Sequence, residues 1–532
     1  MLESSTLPWV FLLVSVIAIA RQLYAFATNP LTRIPAAHPL SHWTTLWIHS
    51  IRWRGIENTT LKSAHRRLGP IIALSPNEVS VNCVQGGIRE IYAGAMEKGD
   101  GKYSWYSFFS NFGGVDNMFS TAGNKPHSAR KRMISNIYSK SVVTTSPALR
   151  AQMSVIIYDR FLPALLGTLA NPEPGVLNIY QLLSASTMDI VTAYIFGLKA
   201  SSNLIDDAEH CSWFLDLYNS RRSYNFWPQE LPEFTETIQK WTGYRLSPKW
   251  VDEANGEIER WTMEMCEGAA GVLKQSYTKP EDMPVVYQQL LAALSKESEK
   301  AGLGEVDLTT PIASEVLDHL AAGFDTSGIT LTYIIHELSQ NPSVQSKLRE
   351  ELLSLSPQLV PSSAPTLPEP KTVESLPLLH AVVWETLRLH SAIPGPQPRF
   401  TPAQGCRLGP EENSVYVPGG VRVSASAGLL HLNEEVYESA EKWRPQRWLE
   451  DVSVEKRKDM ESRWFWAFGS GGRMCVGSHL AVYQMKFVVA ALYSNFTTTI
   501  VDDQGIEQSD AYTAPPKGDK LIIKLEKHVK TG

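Results

Sequence analysis

The sequence feature that most constrains the fold is the segment WAFGSGGRMCVGSHL, residues 466–480. Glycines and one arginine surround Cys475, and a helix-forming run, SHLAVYQMKFVVAALY, follows. A Walker-type phosphate loop would need Lys and Ser or Thr after its last glycine, and this segment has neither. A cysteine just before a helix lies near the positive end of the helix dipole, which favours its thiolate. The pattern predicts a reactive or ligating thiolate, with a buried structural cysteine in a glycine turn as the alternative.

Composition excludes some classes of function. The 532-residue chain has a net charge of −6 and 20% charged residues, so no overall positive field favours nucleic acid. Its five cysteines are scattered and include no C-x-x-C pair. This distribution argues against a disulfide framework or a structural zinc site, and it fits a reducing compartment.

The N-terminus carries an uncharged apolar run, LPWVFLLVSVIAIA, at residues 7–20. A helix continuing to Ala27 would reach the roughly 20 residues that span a bilayer, with Arg21 extending to the interface. A secretory signal peptide is the alternative, because AIA before Arg21 resembles a cleavage site. The arginines follow the run, so the positive-inside rule leaves the rest of the chain in the cytosol. We predict a membrane anchor at 1–28, a Pro-rich linker at 29–45 and one large domain at 46–532.

The rest of the chain has the pattern of a mainly α protein with small β-sheets. Most of residues 120–355 consists of long periodic runs typical of helices. Short β-type stretches lie near 70–83, 414–424 and 519–525. Strands and helices do not alternate regularly, which argues against a doubly wound nucleotide-binding fold.

A second constellation is WETLRLH, in which Glu385 and Arg388 are three residues apart on a helix. Such pairs usually lie at the surface and contribute little. The flanking apolar run predicts that this pair is buried, and a buried pair needs a further partner. Arg447, in EKWRPQRWLE, is the candidate.

A third constellation is AAGFDTSG, residues 321–328, inside a long apolar helix. Gly323 costs about 1 kcal/mol there relative to Ala. A residue that disfavours helix formation in the middle of a helix is typical of a functional site. We predict that Gly323 leaves room for a small ligand and that Asp325 and Thr326 relay protons beside it. The alternative is a kink in a packing helix, with Thr326 bonded back to a carbonyl.

Together these segments resemble the cytochrome P450 haem-thiolate monooxygenases. The family's cysteine loop, F-x-x-G-x-R-x-C-x-G, is matched at every fixed position, namely Phe468, Gly471, Arg473, Cys475 and Gly477. The family's E-x-x-R pair, its P-x-R motif and its oxygen-activation motif, (A/G)-G-x-(D/E)-T, are also present, and all four motifs occur along this chain in the family's order. These are Glu385 and Arg388, Pro445 to Arg447, and Ala322, Gly323, Asp325 and Thr326. The resemblance covers essentially the whole chain.

The resemblance implies a role for each of these residues. Cys475 is the axial thiolate on the iron of haem b, in a loop shaped by Phe468 and Gly477. Haem propionates are held by Arg473 and Arg399, and Asp325 and Thr326 deliver protons to dioxygen beside Gly323. The structural brace of the loop consists of Glu385, Arg388 and Arg447. The family's W/H-x-x-x-R motif is altered here, because Lys131 follows His127 at i+4, and both are predicted propionate contacts.

The resemblance also implies the cytochrome P450 fold and its reaction. Electrons come from NADPH through a separate cytochrome P450 reductase, with cytochrome b5 as a further donor. One oxygen atom of O2 enters a lipophilic small molecule, and the enzyme lies at the endoplasmic reticulum membrane with a cytosolic haem domain. The spacing of LHSAIPGPQPR resembles fungal enzymes of secondary metabolism, with a terpenoid, polyketide or alkaloid as substrate.

Two alternatives remain open from the sequence. A haem-thiolate isomerase or dehydratase would rearrange peroxides without O2 or a reductase. A non-catalytic haem-binding protein would not need the acid–threonine pair. The aromatic stretch KYSWYSFFSNFGG, residues 102–114, is predicted to be either a pocket wall or ordinary core.

Overall fold

The structure is a computed structural model that describes residues 7–94, 96–99, 101–302 and 306–528. The first six residues of the predicted anchor lie outside this part of the chain, as do residues 95, 100, 303–305 and 529–532 of the predicted large domain. The described residues form the predicted mainly α fold with small sheets, and this fold class is confirmed.

Twenty α-helices lie within the described residues. They are α1 (Leu7–Thr28), α2 (Leu46–Trp53), α3 (Glu57–Leu68), α4 (Asn124–Ile134), α5 (Lys140–Thr145), α6 (Pro147–Val155), α7 (Leu162–Gly167), α8 (Ile179–Phe196), α9 (Ala208–Ser220), α10 (Phe226–Glu230), α11 (Pro232–Thr242), α12 (Lys249–Leu273), α13 (Val285–Lys300), α14 (Thr309–Gln340), α15 (Pro342–Leu352), α16 (Pro370–Glu374), α17 (Pro377–Leu389), α18 (Ala427–Leu430), α19 (Val454–Lys458) and α20 (Ser478–Asn495).

The same residues form nine short strands. They are β1 (Ile71–Ser75), β2 (Glu78–Val81), β3 (Val176–Asn178), β4 (Arg399–Phe400), β5 (Cys406–Leu408), β6 (Val415–Val417), β7 (Arg422–Ala425), β8 (Phe496–Asp502) and β9 (Ile522–Lys527). Strands lie in all three stretches where the sequence predicted them.

The chain divides into two compact units, each built from separate stretches of sequence. Unit 1 comprises Met1–Lys98, Gly395–Leu430 and Asp510–Tyr512, and unit 2 comprises Gly99–Pro394, His431–Ser509 and Thr513–Gly532. The predicted large domain, residues 46–532, therefore contributes to both units.

Unit 1 contains the four-stranded sheet β1-β2-β7-β4 and the separate hairpin β5-β6. The pair β1-β2 is antiparallel, and β2 pairs in parallel with β7 from much later in the chain. Helix α1 ends at the predicted end of the anchor, and none of its apolar window Trp9–Thr28 is buried. By length and composition α1 could cross a membrane. A second helical stretch, Pro147–Ala170, passes the same test but is 44% buried, which fits a core helix.

Unit 2 holds the main hydrophobic core, which α8, α14 and α20 share. Helix α14 is continuous over 32 residues and is buried on all sides from Ser327 to Ser339. Helix α17 begins where the N–H groups of Leu378 and Leu379 donate to the carboxylate of Glu351, at 2.7 and 2.8 Å. This carboxylate satisfies N–H groups that a helix start leaves unpaired. The sheet β3-β9-β8 completes the unit.

Candidate active site

Cys475 lies in the loop that leads into α20 in unit 2. The loop folds back on itself, and the N–H of Cys475 donates to the carbonyl of Phe468 at 2.9 Å. Gly469 and Gly471 have φ angles of +66° and +72°, which glycine adopts without strain. The Cys475 side chain is exposed, although most of α20 is buried. The sequence thus folds locally into a glycine turn that presents a sulfur at a helix N-terminus.

Opposing effects act on the pKa of the Cys475 thiol. Burial, the largest cause, raises the pKa of the Cys475 thiol above its ordinary value. The N–H groups of Gly477 and Ser478 and the ammonium of Lys131 lower this pKa, but in sum they act more weakly than burial. The helix terminus thus acts in the predicted direction, towards the thiolate, and burial acts against it.

The backbone beside this sulfur is open. A Cβ added to Gly472 or to Gly477 would meet no atom within 4 Å, so the backbone on both sides of Cys475 can be approached closely. Phe468 is half-buried and packs against the core of unit 2. A single accessible sulfur with open backbone around it fits haem, because a metal cation removes the proton of a coordinating thiol.

The predicted oxygen-activation segment lies in the middle of α14. Ala322 is exposed and Gly323 and Thr326 are half-exposed, in contrast to the buried half of the helix that follows. The Thr326 hydroxyl donates to the carbonyl of Ala322 at 2.8 Å, which is the back-bonding named as the alternative. The helix nevertheless continues without a break, and it presents an open face at this point.

Gly323 lies where α14 packs closely against α8. A Cβ at Gly323 would lie 2.8 Å from Cγ2 of Val191 on α8, closer than side chains pack. The missing side chain therefore allows α8 and α14 to approach each other. That Gly323 also leaves room for a small ligand stays a prediction.

Asp325 is buried and tied to charged and polar groups in unit 2. Its Oδ1 lies 3.4 Å from Nη2 of Arg222, and its Oδ2 lies 3.5 Å from the Tyr218 hydroxyl. Burial raises the pKa of Asp325, while Arg222 and a hydrogen bond from Thr513 lower it. Arg222 also pairs with the half-exposed Asp519 at 3.1 Å. The buried carboxyl group is thus connected to the protein surface.

Tyr138 is bonded to α14 one helical turn before the predicted oxygen-activation segment. Its hydroxyl lies 3.1 Å from Nδ1 of His319, one helical turn before Gly323. Burial raises the pKa of Tyr138 well above its ordinary value, and the negative charge of Cys475 adds to this effect.

Glu385, Arg388 and Arg447 meet in a fully buried triad. Arg388 donates to both carboxylate oxygens of Glu385, with Nε–Oε2 at 3.0 Å and Nη2–Oε1 at 2.7 Å. Nε of Arg447 lies 3.0 Å from each of the same oxygens. Arg388 also donates to the carbonyls of His431 and Ala440, at 2.8 and 2.7 Å. The pair predicted to be buried is buried, and each of its charges has hydrogen-bond partners, as a buried ion pair requires.

The four predicted propionate contacts do not all lie in one unit. In unit 2, Arg473 donates to the carbonyl of Thr121 at 3.2 Å, and Lys131 donates to the carbonyls of Gly472 and Met474 at 3.0 and 2.8 Å. His127, on the same helix as Lys131, is buried. Arg399 belongs to unit 1, where its guanidinium lies 5.0 Å from the centre of the Tyr92 ring. Binding of propionates by these residues stays a prediction.

Some partners of the site were not found from the sequence. Trp448 donates its indole N–H to Oε2 of Glu385 at 2.9 Å, and its position directly after Arg447 is a signal that could have found it. Arg222 and Tyr138 come from segments with no motif. Their contacts with Asp325 and His319 span long sequence distances, and no local pattern predicts them.

Comparison with known proteins gives one consistent result. Residues 37–523 match the family model described as Cytochrome P450. Cytochrome P450 monooxygenase FGM1 of Gibberella zeae is 26% identical over 472 residues, covering 88% of this chain and 87% of that protein. Cytochrome P450 monooxygenase avaI of Aspergillus versicolor is 26% identical and covers 80% and 94%. Cytochrome P450 monooxygenase orf2 of Aspergillus niger is 24% identical and covers 97% and 98%.

These matches confirm the resemblance and the enzyme class predicted from the motifs. They support the monooxygenase and give no support to the isomerase or carrier alternatives. Because the family match extends over most of the sequence, this chain belongs to the cytochrome P450 monooxygenases, oxidoreductases that use haem, dioxygen and electrons from a redox partner.

Proposed function

We propose that Cys475 is the axial ligand of haem b in a membrane-anchored enzyme that oxidises a lipophilic small molecule of secondary metabolism. When bound, the haem iron supplies the activation of O2 and the transfer of one oxygen atom to a C–H or C=C bond, while the other leaves as water. The observation that carries the proposal is the exposed Cys475 at the start of α20, with open backbone at Gly472 and Gly477.

The residues of α14 hold and move protons next to this position. The Thr326 hydroxyl donates to the Ala322 carbonyl, so its lone pairs can accept a hydrogen bond on the open face. Asp325 reaches the surface through Arg222 and Asp519. Arg222 stays charged and orients the Asp325 carboxyl group, so Asp325 is the member of this set that can take up and release a proton beside Thr326 in the sequence.

The aromatic stretch at 102–114 supports an apolar substrate. Tyr106 is fully buried and belongs to the core, whereas Trp105 and Phe109 are half-exposed, with ring centroids 5.3 Å apart. The indole N–H of Trp105 donates to Glu230 of α10 at 2.7 Å. The stretch is thus partly core, and its accessible rings can line a pocket for a lipophilic ligand.

The family assignment also supports a proposal for the electron source and the location. We propose that NADPH supplies electrons through a separate cytochrome P450 reductase, with cytochrome b5 as a further donor. Lys125 and Arg132 on α4 are exposed and give a basic surface for an acidic partner. The exposed apolar α1 supports a single-pass anchor in the endoplasmic reticulum membrane, with the catalytic part in the cytosol.

The haem ligand is tested by the reduced CO-difference spectrum of the purified protein. We expect the band of a thiolate-ligated haem in the wild type and its loss in Cys475→Ser, because an alcohol does not replace the thiolate. The matched control is Cys406→Ser, which changes a partly exposed cysteine in β5 of unit 1. A band that survives Cys475→Ser would exclude Cys475 as the ligand.

The reaction class is tested with the reductase present. A lipophilic substrate should be converted with consumption of NADPH and O2. Rearrangement of an added peroxide without either would contradict the proposed reaction. Comparison of metabolites between cells with and without the gene identifies the substrate, because the missing product differs from its precursor by one oxygen atom.

A further inference from the structure

His431 lies between the buried triad and the chain that enters the cysteine loop. Its Nε2 lies 2.8 Å from the backbone nitrogen of Trp466, and its Nδ1 lies 3.0 Å from the carbonyl oxygen of Arg388. Its own carbonyl accepts from Nη1 of Arg388 at 2.8 Å. The side chain is fully buried. The carbonyl of His431 thus accepts from the Arg388 side chain, and the His431 ring contacts the Arg388 carbonyl. The same ring accepts a hydrogen bond from the N–H of Trp466.

These partners fix the tautomer of the imidazole. A backbone N–H can only donate, so Nε2 facing Trp466 must carry the lone pair, and Nδ1 carries the proton that is donated to Arg388. A protonated ring would place two N–H groups against each other at Nε2. Burial and the charge of Arg388 lower the pKa of His431 to about 3, in agreement with a neutral ring.

The hydrogen bond from Trp466 to His431 positions the backbone where the chain enters the cysteine loop. The ring of His431 also stacks on Phe465, with centroids 5.4 Å apart and an interplanar angle of 20°. A tight turn follows Trp466, in which the Trp466 carbonyl accepts from the N–H of Gly469 at 2.9 Å. The following hydrogen bond, from Cys475 N–H to Phe468, closes the loop that carries the sulfur. A displacement of Trp466 is therefore passed to Cys475 through two consecutive backbone hydrogen bonds.

We propose that His431 is a positioning residue that couples the Glu385–Arg388–Arg447 triad to the Cys475 loop and thereby keeps the sulfur in place as the haem thiolate. This inference rests on the proposed function, in which Cys475 ligates the haem. The imidazole serves as a rigid spacer with one donor and one acceptor. It does not need to exchange a proton during the reaction.

Nδ1 also lies 3.0 Å from the Ser391 hydroxyl, so it shares its hydrogen bonding between Ser391 and Arg388. Three substitutions separate the hydrogen bonding of Nδ1 from that of Nε2. His431→Phe keeps the stacking on Phe465 and removes the hydrogen bonding of both nitrogens. The amide oxygen of His431→Gln reaches the position of Nε2 and can accept from Trp466. His431→Asn reaches only the position of Nδ1 and leaves the N–H of Trp466 unpaired. The matched control is His65→Phe in unit 1, where another buried imidazole bonds Gly69 and Ser80 at 2.9 Å each.

The readout is the CO-difference spectrum of the purified holoenzyme, followed over time, at equal haem content. We expect the thiolate band of His431→Phe and His431→Asn to decay about tenfold faster than that of the wild type. A tenfold change corresponds to about 1.4 kcal/mol, within the cost of leaving a buried N–H unpaired. His431→Gln should stay close to the wild-type rate, and so should His65→Phe.

The outcomes distinguish this inference from the proposed function. A wild type without any thiolate band would overturn both. A wild type with the band, and His431→Asn decaying no faster than His431→Gln, would overturn the role of His431 alone. If His431→Phe does not fold, the Asn and Gln variants decide, because they have the same chemistry and differ by one methylene group.

Discussion

Asp325 and Thr326 are neighbours in sequence, but their side chains have different surroundings. Asp325 is buried against Arg222, whereas Thr326 is half-exposed on the open face of α14. The pKa of Asp325 is raised by burial, so its carboxyl group holds a proton more readily than an exposed aspartate. In the proposed function, this arrangement separates a group that can store a proton, Asp325, from a hydroxyl on the open face, Thr326.

Replacement of Thr326 by Ala should uncouple the enzyme. Without the hydroxyl, protons are no longer delivered in the right place, and we expect reduced oxygen to be released as peroxide. Product formed per NADPH should fall on the order of 100-fold, the lower end of what general acid–base groups contribute. The measurement is product and peroxide per NADPH with the reductase. Thr326→Ser should restore most of the coupling.

The control for this substitution lies on the same helix. The Thr332 hydroxyl donates to the carbonyl of Gly328 at 2.8 Å, the same back-bonding as that of Thr326, but Thr332 is fully buried. Thr332→Ala should leave the ratio of product to NADPH unchanged. Equal peroxide release from both variants would mean that the effect comes from the helix and not from the hydroxyl on the open face.

Packing against α8 and α20 explains how the middle of α14 is held in position. Gly323 lies where α14 crosses α8, and the Thr187 hydroxyl of α8 donates to the carbonyl of Phe324 at 3.0 Å. Gln484 of α20 donates to Ser327 at 2.6 Å on the same stretch of α14. The open face at Ala322 is therefore held in place by contacts with two other helices.

Gly323→Ala should destabilise the fold through its contact with Val191. Overpacking costs about 1–3 kcal/mol, partly offset by about 1 kcal/mol of helix propensity gained. Val191→Ala in the same chain should relieve the contact, and a double-mutant cycle of urea unfolding should give a favourable coupling between the two substitutions. Gly271→Ala in α12 is the control, because a Cβ there meets no atom within 4 Å. Unchanged stability of Gly323→Ala, with lower activity, would favour the ligand-room interpretation instead.

Short sequence spacings made much of the site predictable, and long-range pairing accounts for the rest. Cys475 has glycines within a few residues on either side, and Arg388 follows Glu385 by one helical turn. Local sequence patterns therefore predict both the cysteine loop and the buried pair. The contact of His431 with Trp466 depends on how distant segments return, which no local pattern specifies. Long-range pairing also defines part of the fold. Strand β8 follows α20 directly in the sequence, and its hydrogen bonds with β9 make it part of a sheet. The two units are also discontinuous in sequence, since residues 395–430 join unit 1 by pairing β7 with β2.

Stability of the whole molecule should fall in mild acid because two buried histidines stay neutral. Burial is the largest cause that lowers the pKa of His65 in unit 1 to about 4 and that of His431 in unit 2 to about 3, from 6.5. The unfolded chain takes up a proton at each ring below pH 6.5, whereas the folded chain does not until its lower pKa is reached. This stabilisation is therefore fully present above pH 6.5 and is lost as the pH falls toward 4 and 3. Buried Asp189 and Asp325, with raised pKa values, act in the opposite direction.

Urea unfolding of the purified protein between pH 7 and 4.5 measures this effect. Each histidine should add a slope of about 1.4 kcal/mol per pH unit to the unfolding free energy over the window below pH 6.5. His65→Gln and His431→Gln should each remove about one proton from the uptake on unfolding, whatever their effect on stability at pH 7. The slope separates titration from lost packing, because a substitution that only weakens packing shifts the free energy equally at every pH. A wild type whose stability stays constant from pH 6.5 to 4.5, or variants with the wild-type slope, would contradict the assignment of these two rings as neutral in the folded state.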